Sequence, residues 1–221
     1  MNEFIKVDYK VYTTLYTALK ALNGLPDLIS FDMETQSVYS LDERAEAKEL
    51  LKCCKTDMTD EDMRLCKLVR NSSGLSHPKL TKVTHFIFGV SKSESIVVIC
   101  YDKKVEKAIC DWVINYKGKL ITHNSLFDLK FVHHVTGKFP IDFEDTQLLA
   151  KCLINDTKVW NAKTGLKDLM AEYYDPKWTM IESYDIQDYK DEAFLRYSAI
   201  DGAATYYLWE LLNETTSTST S

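Results

Sequence analysis

Polar and apolar residues alternate in short blocks over the first half of the chain and recur at helical spacing over the second, so strands are expected early and helices late. The run from Asp27 to Asp32, with Leu28, Ile29 and Phe31 following the turn signal Gly24 to Pro26, predicts a buried strand ending in polar residues. Thr84 to Val90 and Ser95 to Tyr101 predict two more strands, joined by a hairpin turn over Ser91 to Glu94. Val105, Ala108, Ile109, Trp112 and Val113 predict a helix reaching Tyr116; a strand over Lys119 to Thr122 follows. Ser125 to Val135 predicts a helix capped near Asn124 or Ser125, and Asp145 to Ile154, Leu166 to Tyr174 and Asp188 to Leu212 predict three more. A charged, amphipathic stretch from Ser40 to Lys82 reads as a helical insertion after the first strand, with a capped start over Thr59 to Asp62. The organisation expected is one domain over 1–214, containing the 40–82 insertion. The 215–221 tail, all Thr and Ser, is too polar to bury anything and is expected to be disordered.

Composition adds little against this picture: 45% hydrophobic and 27% charged residues in 221 suffice for one sizeable core. The formal net charge of −6 argues at first against a nucleic-acid partner, although carboxylates that hold divalent cations would reverse the local balance. Cys53, Cys54, Cys66, Cys100, Cys110 and Cys152 form no C-x-x-C pattern and have no histidine at zinc spacing, so reduced thiols and a cytoplasmic setting are expected. Met1 to Val11 lacks the basic-then-apolar order of a leader, and no apolar run approaches the roughly 18 residues of a membrane span. Seven glycines include no phosphate-binding loop, which removes support for nucleoside triphosphate or dinucleotide binding.

The chemistry concentrates in three segments. Asp32 and Glu34 stand two apart at a strand end, so both carboxylates project from one face as hard oxygen ligands suited to Mg²⁺ or Mn²⁺. Alone, such a pair is equally what two solvated acids look like. Asn124 and Asp128 lie at a strand-to-helix junction, where an acid in the first turn is stabilised by the helix dipole whatever its role. Tyr197 and Asp201 are four apart on a helix and therefore stacked, among the core-type residues Phe194, Ile200, Ala204 and Leu208; a carboxylate there needs a partner.

In this order and on these elements, the three segments resemble the DEDD exonuclease superfamily, and Tyr197 resembles the mark of the branch found as the proofreading domain of family-A DNA polymerases. Arg196 stands where the sister branch would carry histidine. The stretches Asp145 to Leu149 and Thr164 to Tyr173 are similar to the same domain, and the likeness runs from about Leu28 to Asn213 outside the insertion.

The resemblance implies an α/β fold of the ribonuclease H-like kind, a mixed central sheet flanked by helices whose first strand carries Asp32 and Glu34. It implies 3′-to-5′ hydrolysis of single-stranded DNA ends, with Asp32, Glu34, Asp128 and Asp201 as ligands of two divalent ions, Mg²⁺ or Mn²⁺, and Tyr197 placing the attacking water. Ions roughly 4 Å apart suit an in-line displacement. Tyrosine, with an ordinary pKa of about 10, is a weak base, which favours a hydrogen-bonding role. Thr35 and Asn124 match positions that contact the terminal nucleotide, Met33 and Val38 are expected to line or wedge the last bases, and Lys163 matches a phosphate-contacting position. The implied partner beyond DNA is a polymerase domain or subunit. Trp178 to Ile181 offers either a base-stacking surface or core packing. His77, His85, His133 and His134 show no metal pattern. Two rivals stand beside this reading: an RNA 3′-end trimming exoribonuclease on the same scaffold, and a non-catalytic nucleic-acid or polymerase-binding module.

Overall fold

The computed structural model of the chain describes residues 6–53, 58–71, 78–153, 163–180 and 190–218. Contacts divide it into two compact units, Met1–Glu34 with Thr84–Ser221, and Thr35–Val83. Six strands form one mixed sheet in the order β1-β4-β3-β2-β5-β6. These are β1 (Asp8–Tyr12), β2 (Leu28–Ser37), β3 (Thr81–Ser91), β4 (Glu94–Ile99), β5 (Lys119–Thr122) and β6 (Phe143–Asp145). β3 and β4 form the expected hairpin; β1 runs parallel to β4, and β5 is parallel to both β2 and β6.

In the first unit the helices are α1 (Leu15–Leu22), α4 (Lys103–Asn115), α5 (Ser125–Thr136), α6 (Thr146–Leu153), α7 (Leu166–Tyr173) and α8 (Glu192–Thr218), with a 3-10 turn over Pro176–Met180. Phe31, Phe86 and Phe88 are fully buried, and Trp112 of α4 meets the Phe88 ring edge-on at 5.5 Å. Leu195 and Ala199 of α8 pack against Val97 and Ile99 of β4. α8 also sits very close to the sheet: the Ser30 hydroxyl donates to the Gly202 carbonyl at 2.6 Å, and the Ser95 hydroxyl donates to the Ala199 carbonyl at 2.7 Å. Glycine makes this approach possible, because a Cβ on Gly89 would lie 2.4 Å from the Gly202 carbonyl oxygen and 2.3 Å from Ser30 Oγ. Gly89→Ala is therefore expected to destabilise the protein by about 1–3 kcal/mol, the usual cost of overpacking. A thermal melt reads this directly; an unchanged midpoint would show that α8 is not seated this tightly.

The second unit holds α2 (Leu41–Cys53) and α3 (Asp60–Asn71). Its expected cap is present in reciprocal form: the Thr59 hydroxyl donates to Asp62 at 2.6 Å while the Asp62 backbone N–H donates to Thr59 Oγ1 at 3.2 Å. Ser40 and Glu43 repeat the device at the start of α2.

Two expectations need correction. The strand carrying Asp32 and Glu34 is the second, not the first, so the insertion follows β2. β1 escaped notice because an edge strand is half open to solvent and its side chains alternate only weakly between exposed and half-buried. The last helix continues to Thr218, into the segment expected to be disordered, as an extension of a helix already anchored by Leu208 and Leu212; Ser219 to Ser221 lie outside the described residues. Among the described residues no helix is long and apolar enough to cross a membrane.

Candidate active site

Alternation along β2 buries Phe31 and Met33 and leaves Asp32 and Glu34 half-buried between them, on the same face of the strand. Asp128, only 1% exposed in the first turn of α5, is tied directly to this strand: its Oδ1 accepts from the Met33 backbone N–H at 3.2 Å. Asn124 precedes α5 in the left-handed region, at φ 62°, and its side chain forms no cap. The cap comes instead from Asp145, at the end of β6. Its carboxylate accepts from the Asn124 N–H at 3.0 Å, the Ser125 N–H at 2.7 Å and the Ser125 hydroxyl at 2.7 Å. Burial alone would raise the pKa of Asp145, but these bonds hold it below the usual carboxylate range.

His123 fixes the same junction. Its Nδ1 lies 2.8 Å from Thr146 Oγ1, and its Nε2 lies 3.1 Å from the Thr164 carbonyl oxygen, which can only accept. Nε2 therefore carries the proton. Burial pushes the imidazole pKa down to about 4, so it is neutral at physiological pH and serves as a structural pin rather than a base. Gln147 Nε2 also donates to Thr164 O, at 3.0 Å, holding the segment that leads into α7.

α8 delivers the remaining groups. Ser198 Oγ reaches Glu34 Oε1 at 3.5 Å, and Asp201, 9% exposed, hydrogen-bonds Tyr197. Lys167, in the first turn of α7, donates from Nζ to the Tyr197 hydroxyl at 3.0 Å and lies 4.4 Å from that ring's centroid. One acid oxygen is left over: Asp201 Oδ1 is buried without a hydrogen-bond partner among the described residues.

The electrostatics follow from this crowding. Burial, then the neighbouring Asp201, pushes Asp32 up to about 7. Glu34 is raised well above its usual range by burial, then by Asp32 and Asp201. Asp128 rises likewise through burial, then Asp32. Burial raises Asp201 to about 6 against the opposing pull of Lys167. Tyr197 is raised too, by burial and then Asp201, and stays protonated.

Four mutually repelling acids with one unsatisfied oxygen are a poor arrangement for a bare protein and a good one for cations, which would neutralise the charge and occupy the open oxygen. Among the described residues, no three His, Cys, Asp or Glu side chains stand where they could together hold a metal ion. The all-carboxylate donor set and the unsatisfied Asp201 Oδ1 suit a hard divalent cation by chemistry.

The structure brings together Asp32, Glu34, Asp128, Tyr197 and Asp201, with Met33 supplying its N–H. Lys163 is exposed and makes no bond to these acids among the described residues. Thr35 is buried and Val38 is 51% exposed; both belong to the second unit. Trp178 is 3% exposed and packs in the core cluster of α7 and α8; Ile181 lies outside the described residues. His85 is a core residue beside Phe194, His133 stacks on Phe139, and His77 lies outside the described residues. Lys167 and Ser198 were not anticipated. The signal for Lys167 was its place one position inside a predicted helix, where it shares a side with core residues.

No protein-family model matches the sequence, and no curated protein does. Among solved structures, the chain is similar to Brucella melitensis NrnC bound to pGG, at 16% identity and TM-score 0.55, covering 95% of this chain and 81% of that one. It is similar to Escherichia coli RNase D, an exoribonuclease involved in structured RNA processing, at 16% identity and TM-score 0.54 over 95% of this chain and 46% of the other. It is also similar to Trypanosoma brucei RNase D in complex with RNA U12, at 15% identity and TM-score 0.57 over 94% and 63%. At such identities the likeness establishes the fold. The α/β architecture expected from the sequence, a mixed central sheet flanked by helices, is the one this chain adopts.

Proposed function

We propose that the protein is a metal-dependent 3′-to-5′ exonuclease that trims RNA or short oligoribonucleotides. The observation that carries this reading is the convergence of Asp32, Glu34, Asp128 and Asp201 from β2, α5 and α8, with Asp201 Oδ1 unsatisfied beside the Tyr197 hydroxyl. The expectation of DNA rested on flanking motifs. Support now favours RNA, because similar structures are named as RNA-processing or hold RNA or pGG, and one NrnC structure holds Mg²⁺. The proofreading role and a polymerase partner have no comparable support.

Divalent ions, when bound, would neutralise phosphate charge and make a water nucleophilic at neutral pH. Asp32, Glu34, Asp128 and Asp201 would hold them; Mg²⁺ and Mn²⁺ both suit an all-carboxylate set. Tyr197 keeps its proton, so it positions the attacking water by hydrogen bonding and does not act as the base. Lys167 orients the phenol from its other side and sets a positive charge against the acids. Asn124 is proposed to contact the terminal nucleotide and Lys163 to meet a backbone phosphate; the Met33 side chain, expected to line or wedge the last bases, is buried.

Lys167→Met is expected to lower kcat by about ten- to a hundredfold, the lower range for losing one electrostatic stabiliser, with KM little changed. A KM effect alone would make Lys167 a substrate anchor. Substrate choice is tested by initial rates on RNA and DNA oligonucleotides of one sequence with Mg²⁺. RNA should be degraded at least tenfold faster, whereas equal or faster DNA degradation would return the chain to the DNA reading.

A further inference from the structure

A cavity of about 330 Å³ opens on another side of α8, lined by Lys6, Lys92, Met170, Trp178, Ala204 and Tyr207 among others. Its lining includes none of Asp32, Glu34, Asp128, Tyr197 and Asp201. It therefore lies outside the carboxylate cluster. Its floor is buried and apolar, with Met170 0%, Trp178 3%, Ile200 7% and Ala204 3% exposed. One wall is aromatic: Tyr174 meets Tyr207 edge-on at 5.0 Å.

The rim is cationic. Lys92 Nζ stands 5.2 Å from the Tyr207 ring centroid, and a backbone bond from Asp8 N to Ser93 O, 2.9 Å, holds the segment beginning at Lys6 beside the β3–β4 turn. Among the described residues no carboxylate lines the cavity and neither lysine is in an ion pair. The indole Nε1 of Trp178, one of the lining residues, is buried and lacks a hydrogen-bond partner among the described residues. An unmet buried donor is costly, and an acceptor that reached it would relieve it. The volume falls within the range of small-molecule sites, and an apolar body with a few polar anchors is their usual composition.

We propose that this cavity is a second ligand site, distinct from the active site, taking a small planar aromatic anion such as a nucleoside monophosphate or an aromatic carboxylate. The aromatic body lies against Tyr174, Tyr207 and the apolar floor, and the anionic group lies at Lys92 and Lys6. This inference does not depend on the exonuclease reading.

Calorimetric titration of the full chain in EDTA tests it with four probes: adenosine 5′-monophosphate, 4-hydroxybenzoate, adenosine and inorganic phosphate. Saturable one-to-one binding is expected for at least one of the first two, with adenosine and phosphate at least tenfold weaker. Lys92→Glu, at an exposed position, should weaken the binding at least tenfold without disturbing the fold, and Ala204→Leu, which fills the floor, should do the same. Which aromatic anion binds distinguishes phosphate from carboxylate recognition. No saturable binding of either, affinity for phosphate alone as high as for the aromatic anion, or binding unaffected by Lys92→Glu would overturn the proposal.

Discussion

Asp128→Asn removes hydrolysis by at least about a hundred- to a thousandfold, as expected for losing a principal electrostatic group, and in metal-free buffer it raises the melting temperature. The two effects share one cause. Asp128 is 1% exposed, and its carboxylate accepts from the Met33 N–H at 3.2 Å and from its own backbone N–H, bonds that an asparagine oxygen can still accept. The substitution therefore deletes a buried negative charge crowded by Asp32 and Glu34, and the amide N–H donors it adds have those two carboxylates nearby as acceptors. A rise of a few degrees corresponds to about 1 kcal/mol in a chain of this size. Activity lost together with stability would instead show that Asp128 holds the fold and that the acids are not under mutual repulsion.

The second large effect is on pH dependence. Asp32 and Asp201 titrate at about 7 and about 6 in the folded protein, and Glu34 and Asp128 are also raised. In the unfolded chain such groups titrate near 4. Between these limits the native state binds more protons than the unfolded one, so metal-free stability falls as pH rises through roughly 4 to 7. His123 opposes this in part. Its folded pKa of about 4 lies below its unfolded value, so its contribution grows as pH rises to roughly 6.5. One imidazole is outweighed by four carboxylates, and above its unfolded pKa only the decline remains. Mg²⁺ binds ionised carboxylates and should restore stability increasingly at higher pH. Melting temperatures across this range with EDTA and with Mg²⁺ measure both trends; curves that coincide at all pH values would mean that the acids do not form a cation site.

Much of the core was legible because its signals are local. β3, β4 and β5 announced themselves by apolar runs bounded by turn residues, and the Thr59 to Asp62 box is satisfied within a single turn. Asp32 and Glu34 could be assigned to one face from the strand period alone. What stayed hidden depends on tertiary placement. Nothing near Ser125 in sequence reveals that Asp145 caps its helix, and the αL backbone of Asn124 follows from that junction. Lys163 and Lys167 are both basic, and α7 was expected from Leu166, but only the docking of α7 against α8 carries Lys167 to Tyr197 while Lys163 stays exposed. The close seating of α8 depends on Gly89 meeting Gly202, a pairing that becomes visible only once helix and sheet are docked.

The most direct test of the central claim follows a 5′-labelled oligoribonucleotide with a free or a blocked 3′ end, in Mg²⁺ or EDTA, comparing the protein with a variant carrying Asp32→Ala and Glu34→Ala. The account predicts a ladder shortening from the free 3′ end in Mg²⁺ alone, stopped by the 3′ block and lost in the double variant. Shortening that survives the double substitution, or no shortening of RNA or DNA with Mg²⁺ or Mn²⁺, would contradict it.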